Sequence, residues 1–410
     1  MKNERNIYLF PLFWIGLIAT TYLGFGEYYM VGVSVMVCLI PIIKNHGLVR
    51  VHKSCTFFWF VMYYIIVSII GIFTGYVGLK NFIELLLKYV ILPLIIYELI
   101  PSDSDNQVKM LELLKSFIFV CCLYGFIESI MKYNFMVHIV RLNTKAWMEA
   151  MNGATNYQPC SIFLHYNYYG CVLILGLVFA FFLPYRRKIW NFIYWIILLE
   201  QILVCQSRIC WIAAIALLIL QIVKSKRITN TAVKRTLIII MACVCIVIFD
   251  PGIITFIGGF IGKRFSRLWI YGFEDGSLGQ RLGTLMNWSD YFQSNTIKGI
   301  VGTGYQSILV DYMKTYSFFK GYSTADCQIT VYLVETGIIG IVILSGAIIS
   351  FFRKKPLNCL NAQTISAVSK MALVAFCIEC VTLDIVSNNI VQSLLLMAIV
   401  IFDKCQERKI

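Results

Sequence analysis

Two arginines and two carboxylates stand out in a chain otherwise poor in charge: Arg208 in "CQSRICW", Arg281 in "GQRLGTLMNW", and Asp326 and Glu335 in "STADCQITVYLVETGIIG". Arginine stays charged at any physiological pH and grips phosphate oxygens bidentately. A carboxylate can take the proton of an attacking hydroxyl. Around and after Arg281 come Trp288, Tyr291 and Tyr305, the cation Lys298, and a glycine cluster, "KGIVGTGY", that contains Gly302 and Gly304. Cations interleaved with flat aromatic faces suit a ligand that is both anionic and sugar-like.

Each of these residues also has a plainer reading. Arg208 can snorkel to a membrane surface, and Asp326 can cap a helix start. Trp288, Tyr291 and Tyr305 can be interfacial anchors. The glycine cluster reads as a tight turn returning the chain to the membrane; it lacks the GxxxxGK[ST] order and the strand-and-helix unit of a phosphate-binding loop. Glu335 is harder to set aside, because it lies about two and a half turns inside an apolar run, where an ionised group needs a partner or a watery cavity.

The elements that must position these residues are membrane helices. Only 14% of the 410 residues are charged and mean hydropathy is +0.78, far from the roughly 25% charge of soluble domains. Apolar runs suited to a hydrocarbon core of about 30 Å recur from end to end. They predict about twelve spans at 7–25, 27–43, 55–74, 82–100, 113–131, 160–183, 189–206, 209–224, 236–254, 328–351, 371–386 and 389–403. The first run carries no small-residue cleavage site and is expected to be a span, not a secretory signal. Lys44, Arg50 and Lys53, Arg186 to Lys188, Lys224 to Arg235, and Arg353 to Lys355 fall on one side together with both chain ends. By the positive-inside rule that side is the cytoplasm. The net charge of +14 is then mostly topological and gives no warrant for a nucleic-acid partner.

The expected fold is an all-α polytopic integral membrane protein, a single membrane domain over 1–410 with two long external loops, 132–159 and 255–327. Function concentrates in long loops on rigid scaffolds, so the second is the candidate catalytic loop. Within it Leu282, Leu285, Met286, Trp288 and Phe292 recur at helical spacing, which predicts an amphipathic helix from Arg281 to Phe292. Part of the loop can lie on the bilayer as a lid, with basic side chains at headgroups.

Cysteine is abundant, at 15, but sits mostly inside the proposed spans, where a thiol acts as a small hydrophobe; the Cys377–Cys380 pair lacks a second ligand pair. No cofactor or metal is expected. Glu84 and Lys88, one turn apart, can neutralise each other. Glu128, Glu200, Glu379 and Asp384 can line a polar cavity or a transport path. A flippase or exporter would share such buried charges but would show internal repeats and short loops on both faces. A non-catalytic scaffold of envelope assembly is a third possibility.

"QSRICW" at the start of a span, "GQRLGTLMNW" and "IKGIVGTGY" in an external loop, and "ADCQITVYLVETGIIG" entering the next span together resemble the O-antigen polymerase and O-antigen ligase superfamily. The nearest likeness is to Wzy-type polymerases of capsular or exopolysaccharide repeats. The resemblance covers about residues 200 to 345. It implies a GT-C-like glycosyltransferase acting on undecaprenyl-diphosphate-linked oligosaccharide at the outer face of the bacterial cytoplasmic membrane, with a flippase and a chain-length regulator as pathway partners. Arg208 and Arg281 fall on the family's two arginines, Gly299, Gly302 and Gly304 on its glycine turn, Glu335 on a recurrent acid, and Gly337 and Gly340 on its closing glycines. Asp326 stands where the ligases carry a histidine, which favours polymerase over ligase.

The residues suit such chemistry on their own terms. A sugar on a lipid diphosphate has a good leaving group, so the catalyst needs to hold charge building on the diphosphate, and two arginines can do that without a metal. Asp326 would accept the proton of the attacking hydroxyl.

Overall fold

The structure, a computed structural model, describes residues 5–23, 56–101, 103–140, 144–154, 157–224, 259, 279–320 and 324–406. Every regular element among them is helical, as it must be where lipid offers no partner to backbone N–H and C=O groups. The elements are α1 (Arg5–Tyr22), α2 (Phe58–Phe73), α3 (Leu79–Leu86), α4 (Leu92–Leu99), α5 (Ser104–Met131), α6 (Thr144–Met151), α7 (Tyr166–Phe182), α8 (Lys188–Val204), α9 (Arg208–Lys224), α10 (Trp288–Ser294), α11 (Thr296–Val301), α12 (Gln328–Arg353), α13 (Leu360–Glu379) and α14 (Asn389–Gln406). Four of these, α5, α12, α13 and α14, are long and apolar enough to cross a membrane. The predicted spans 27–43 and 236–254 lie outside the described residues, as does most of the first part of the candidate catalytic loop.

The centre of the molecule is α7. From Asn167 to Ala180 nearly all its residues are buried, because its sequence is apolar on every face. It packs against α5, α8, α9, α13 and α14. Glycines allow the closest approaches: a Cβ on Gly176 would stand 3.0 Å from Ile118 and 3.1 Å from the Tyr194 hydroxyl.

Three predicted spans change shape. The run at 82–100 is one helix interrupted by a π-turn, Leu87–Ile91, placed just before Pro93; proline has no N–H for the carbonyl four residues back, and the wider turn absorbs that loss. Helix α7 starts only at Tyr166, because the chain from Cys160 to Ser161 is held by Glu128, which accepts their amides at 3.0 and 2.8 Å. Helix α13 begins and ends earlier than the run at 371–386, so Asp384 lies in the connection to α14 and not in a span.

The second half of the candidate catalytic loop is not one amphipathic helix. It opens with a π-turn at Gly279–Gly283, makes a three-residue turn at Thr284–Met286, and continues through α10 and α11. Met286 is exposed, whereas Gly279, Gln280, Gly283, Thr284 and Tyr291 are buried. From α11 the chain turns down between α2 and α12. There α12 breaks at Gly337, whose φ is +64°, and the carbonyls of Val334 and Glu335 accept the amides of Thr303 and Gly304 at 3.2 and 2.9 Å.

Candidate functional site

Arg281 sits on the π-turn, and that turn is built to hold it. Gly283 leaves room for the Phe318 ring, which a Cβ would meet at 2.4 Å. The buried side chain of Gln280 donates to the Thr324 carbonyl at 2.9 Å and accepts the Phe319 amide at 3.3 Å. Thr284 accepts the Phe318 amide at 3.2 Å. With the turn fastened on both sides, the guanidinium of Arg281 is half-buried, and its Nε has no hydrogen-bond partner among the described residues. It lies in electrostatic reach of two groups from other elements, His165 and Glu379.

Glu379 ends α13 and is 2% exposed. The thiol of Cys171 on α7 is its hydrogen-bond partner, and the thiol of Cys210 on α9 lies within its field. Arg208 opens α9, two residues before Cys210. Helices α7 and α9 meet there because Gly170 has no Cβ: one added would stand 3.2 Å from Cys210 and 3.4 Å from Ser207. The hairpin between α8 and α9 is closed by Trp211, whose indole donates to the Ile202 carbonyl at 2.7 Å. The starts of α7 and α9, the end of α13 and the Arg281 turn therefore converge on one place.

His165 is the N-cap of α7, and its Nδ1 accepts the Asn167 amide at 3.2 Å. The ring packs against Trp147 and Tyr166, with centroids 4.7 and 4.4 Å away. Burial, and then the charge of Arg281, pull its pKa down to about 4, so the imidazole is neutral at physiological pH.

One turn along, Tyr168 shares a 2.5 Å hydrogen bond with Ser387 and feels both Asp384 and Asp326. Asp326 is partly exposed, has a left-handed φ of +50° and accepts the Thr324 hydroxyl at 2.6 Å. Burial pushes the Asp384 carboxyl up to about 6, against the pull of Lys88 and the Ser387 amide and with a further push from Asp326. Two carboxylates of unequal environment thus flank one phenol beside the arginine site.

The remaining predicted residues divide. Trp288 is half-buried and packs on Phe292, centroids 5.2 Å apart. Tyr291 is wholly buried between Tyr312 and Tyr316, and Tyr305 donates to Glu84 at 3.0 Å while its ring packs on Tyr64 and Tyr89. Both rings are enclosed by protein, so neither offers a face to a sugar, contrary to expectation. Lys298 pairs with Asp311 at 3.0 Å and covers the Tyr76 ring. Gly302 and Gly304 serve the fold: a Cβ on Gly302 would meet the Glu335 carbonyl at 2.5 Å, and one on Gly304 would meet Ser68 Cα at 2.9 Å. Glu335 is buried and bonded by the Tyr64 hydroxyl, which makes it an anchor of that packing rather than a group facing Arg281. Glu84 and Lys88 pair at 2.7 Å.

Sequence reasoning missed His165 and Tyr168 and took Glu379 and Asp384 only as general cavity liners. The available signal was position, since "FLHYNYYG" opens an apolar helix. No family model matches the chain, and no curated protein matches it.

Proposed function

We propose that this chain is a polytopic membrane glycosyltransferase of about twelve spans, GT-C-like in plan, that polymerises lipid-linked oligosaccharide repeats. Both chain ends would be cytoplasmic, and the site would open on the outer face of a bacterial cytoplasmic membrane. The observation that carries the reading is the placement of Arg281, its Nε unpartnered among the described residues, at the meeting point of α7, α9 and α13. A half-buried guanidinium whose Nε has no hydrogen-bond partner among the described residues is suited to an anion brought from outside.

In this reading Arg281 and Arg208 hold the diphosphate of the donor while its undecaprenyl tail lies in the bilayer beside the helices. The acceptor hydroxyl of the next lipid-linked repeat attacks the anomeric carbon; the bond from that carbon to the diphosphate oxygen breaks, and the electron pair leaves on undecaprenyl diphosphate. The hydroxyl proton passes to a carboxylate of the Asp326–Asp384 pair. The arginines matter most as the bond breaks, because charge then builds on the diphosphate.

The test is to incubate the purified protein, with no metal added, with a matching undecaprenyl-diphosphate oligosaccharide and to compare it with Arg281→Ala. A product ladder spaced by one repeat, lost in the variant, is expected. If no ladder forms but the protein in vesicles moves the intact lipid-linked sugar between leaflets, the chain is an exporter and the polymerase reading is wrong.

A further inference from the structure

We propose that His165 is a second donor of the site: a neutral imidazole whose Nε2–H hydrogen-bonds an oxygen of the anionic group held by Arg281. The inference rests on the glycosyl-transfer reading and adds to it a substrate-binding group from the first half of the chain, outside the stretch that carries the family resemblance.

The geometry decides the tautomer. Nδ1 accepts the Asn167 amide at 3.2 Å to cap α7, so in the neutral ring the proton must sit on Nε2. A ring so arranged has no free lone pair and cannot act as a general base; it can only donate. Its orientation is set by Trp147 and Tyr166 packed on it and by Tyr168, whose centroid is 6.0 Å away. The ring is kept neutral first by burial and then by Arg281, which lies in electrostatic reach and disfavours a second positive charge. Among the described residues the only hydrogen bond of the ring is the one Nδ1 accepts. An oxygen of a bound diphosphate is the acceptor that would satisfy both Nε2–H and the unpartnered Nε of Arg281. During transfer, the electron pair of the breaking carbon–oxygen bond moves onto the diphosphate; His165 stabilises it through the hydrogen bond, and no proton leaves the ring.

The first experiment does not depend on turnover. The chain has four histidines, so nitrogen-15 labelling of histidine, with His165→Asn to assign the signal, resolves the ring by NMR in lipid nanodiscs. An Nε2-protonated, Nδ1-bare ring that does not titrate between pH 5 and 8 is expected, and adding undecaprenyl diphosphate should shift its Nε2–H signal. A ring protonated on Nδ1, one titrating near the ordinary value of about 6.5, or a signal unmoved while the lipid binds, overturns the proposal.

The second experiment separates donor from base. His165→Gln keeps an N–H at the reach of Nε2, whereas His165→Asn keeps only the cap acceptor. The glutamine variant should hold its rate within about tenfold, and the asparagine and alanine variants should lose about 10²- to 10³-fold in kcat, the usual cost of one such donor. Full activity in His165→Asn, or loss of the low-pH limb of the rate profile in His165→Gln, overturns it. An unmutated protein that makes no ladder overturns the polymerase reading instead, and leaves the NMR result to decide the role of His165.

Discussion

Gly304 donates its amide to the carbonyl of Glu335 at 2.9 Å, joining the glycine turn to the break in α12. On the other side Ser68 of α2 accepts the Tyr305 amide at 3.0 Å, and the Tyr63 hydroxyl donates to the Val301 carbonyl at 2.7 Å. Irregular backbone inside a bundle of apolar helices is tolerated where protein satisfies it, and here two helices do so. The turn fixes where the chain that carries Asp326 re-enters α12.

Adding a methyl group at this junction should therefore destabilise the whole protein. Gly337 and Gly302 have φ of +64° and +93°, and a Cβ on either would meet backbone at 2.3 and 2.5 Å. Gly337→Ala should lower stability by at least about 2 kcal/mol, from the left-handed backbone and the clash together. Gly75→Ala is the control, with φ of +79° and nothing within 4 Å, and should cost about 1–2 kcal/mol. Thermal unfolding in detergent compares the two; equal losses would show that the contact with the turn contributes nothing.

Arg281→Lys should behave almost as badly as Arg281→Ala. Lysine keeps the charge but loses the planar fork that holds two oxygens at once, so a fall of about 10²-fold in kcat is expected, with the melting temperature within a few degrees of the unmutated protein. A lysine variant of normal rate would mean that net charge alone is required.

The rate should rise with pH through about 6 and then level off. Asp384 accepts a proton only when ionised, and its carboxyl is pushed up to about 6 by burial. The titratable groups in its field are Lys88, Asp326, Tyr168, Tyr332, Glu335 and Cys380. In Asp384→Asn the limb near pH 6 should vanish or move toward the ordinary carboxylate range as Asp326 takes over. An unchanged limb in that variant assigns the titration to another group.

Stability should show two opposing pH dependences. His165 has a folded pKa depressed to about 4, so between its unfolded value of about 6.5 and 4 the unfolded chain binds more protons, and its contribution is lost as pH falls. Asp384 has a folded pKa raised to about 6, so between 6 and its unfolded value of about 3.9 the folded chain binds more protons, and stability grows as pH falls. Relative to the unmutated protein, His165→Asn should become comparatively more stable on acidification from pH 6.5 to 4, and Asp384→Asn comparatively less. Melting curves across that range check both signs, and parallel curves for all three proteins would refute both assignments.

Much of the architecture is legible along the chain because its causes are local. A run of apolar residues is helical wherever no other group can satisfy its backbone, so α12 was predicted at 328–351 and extends over Gln328–Arg353. Glu84 and Lys88 are four residues apart and meet as helix geometry requires. Arg208 lies at the turn between two helices, where the hydropathy pattern put it, and Arg281 stands on a segment of its own beside the membrane helices.

What only the tertiary structure decided is which distant residues share a place. His165, Arg281, Glu379 and Asp384 are separated by scores of residues or by a turn of unpredictable shape, and no periodicity relates them; the close packing of α7 with α9 and α13 at Gly170 and Cys171 brings them together. The same holds for the aromatic rings. Tyr291 and Tyr305 have a composition suited equally to ligand, interface or core, and only the tertiary fold encloses them, Tyr291 between Tyr312 and Tyr316 and Tyr305 against Tyr64 and Tyr89. Sequence determined that the chain is helical and where its cations stand, because hydropathy and charge are properties of single segments. The fold determined which of those cations was left facing an open partner, because burial and pairing are properties of several segments at once.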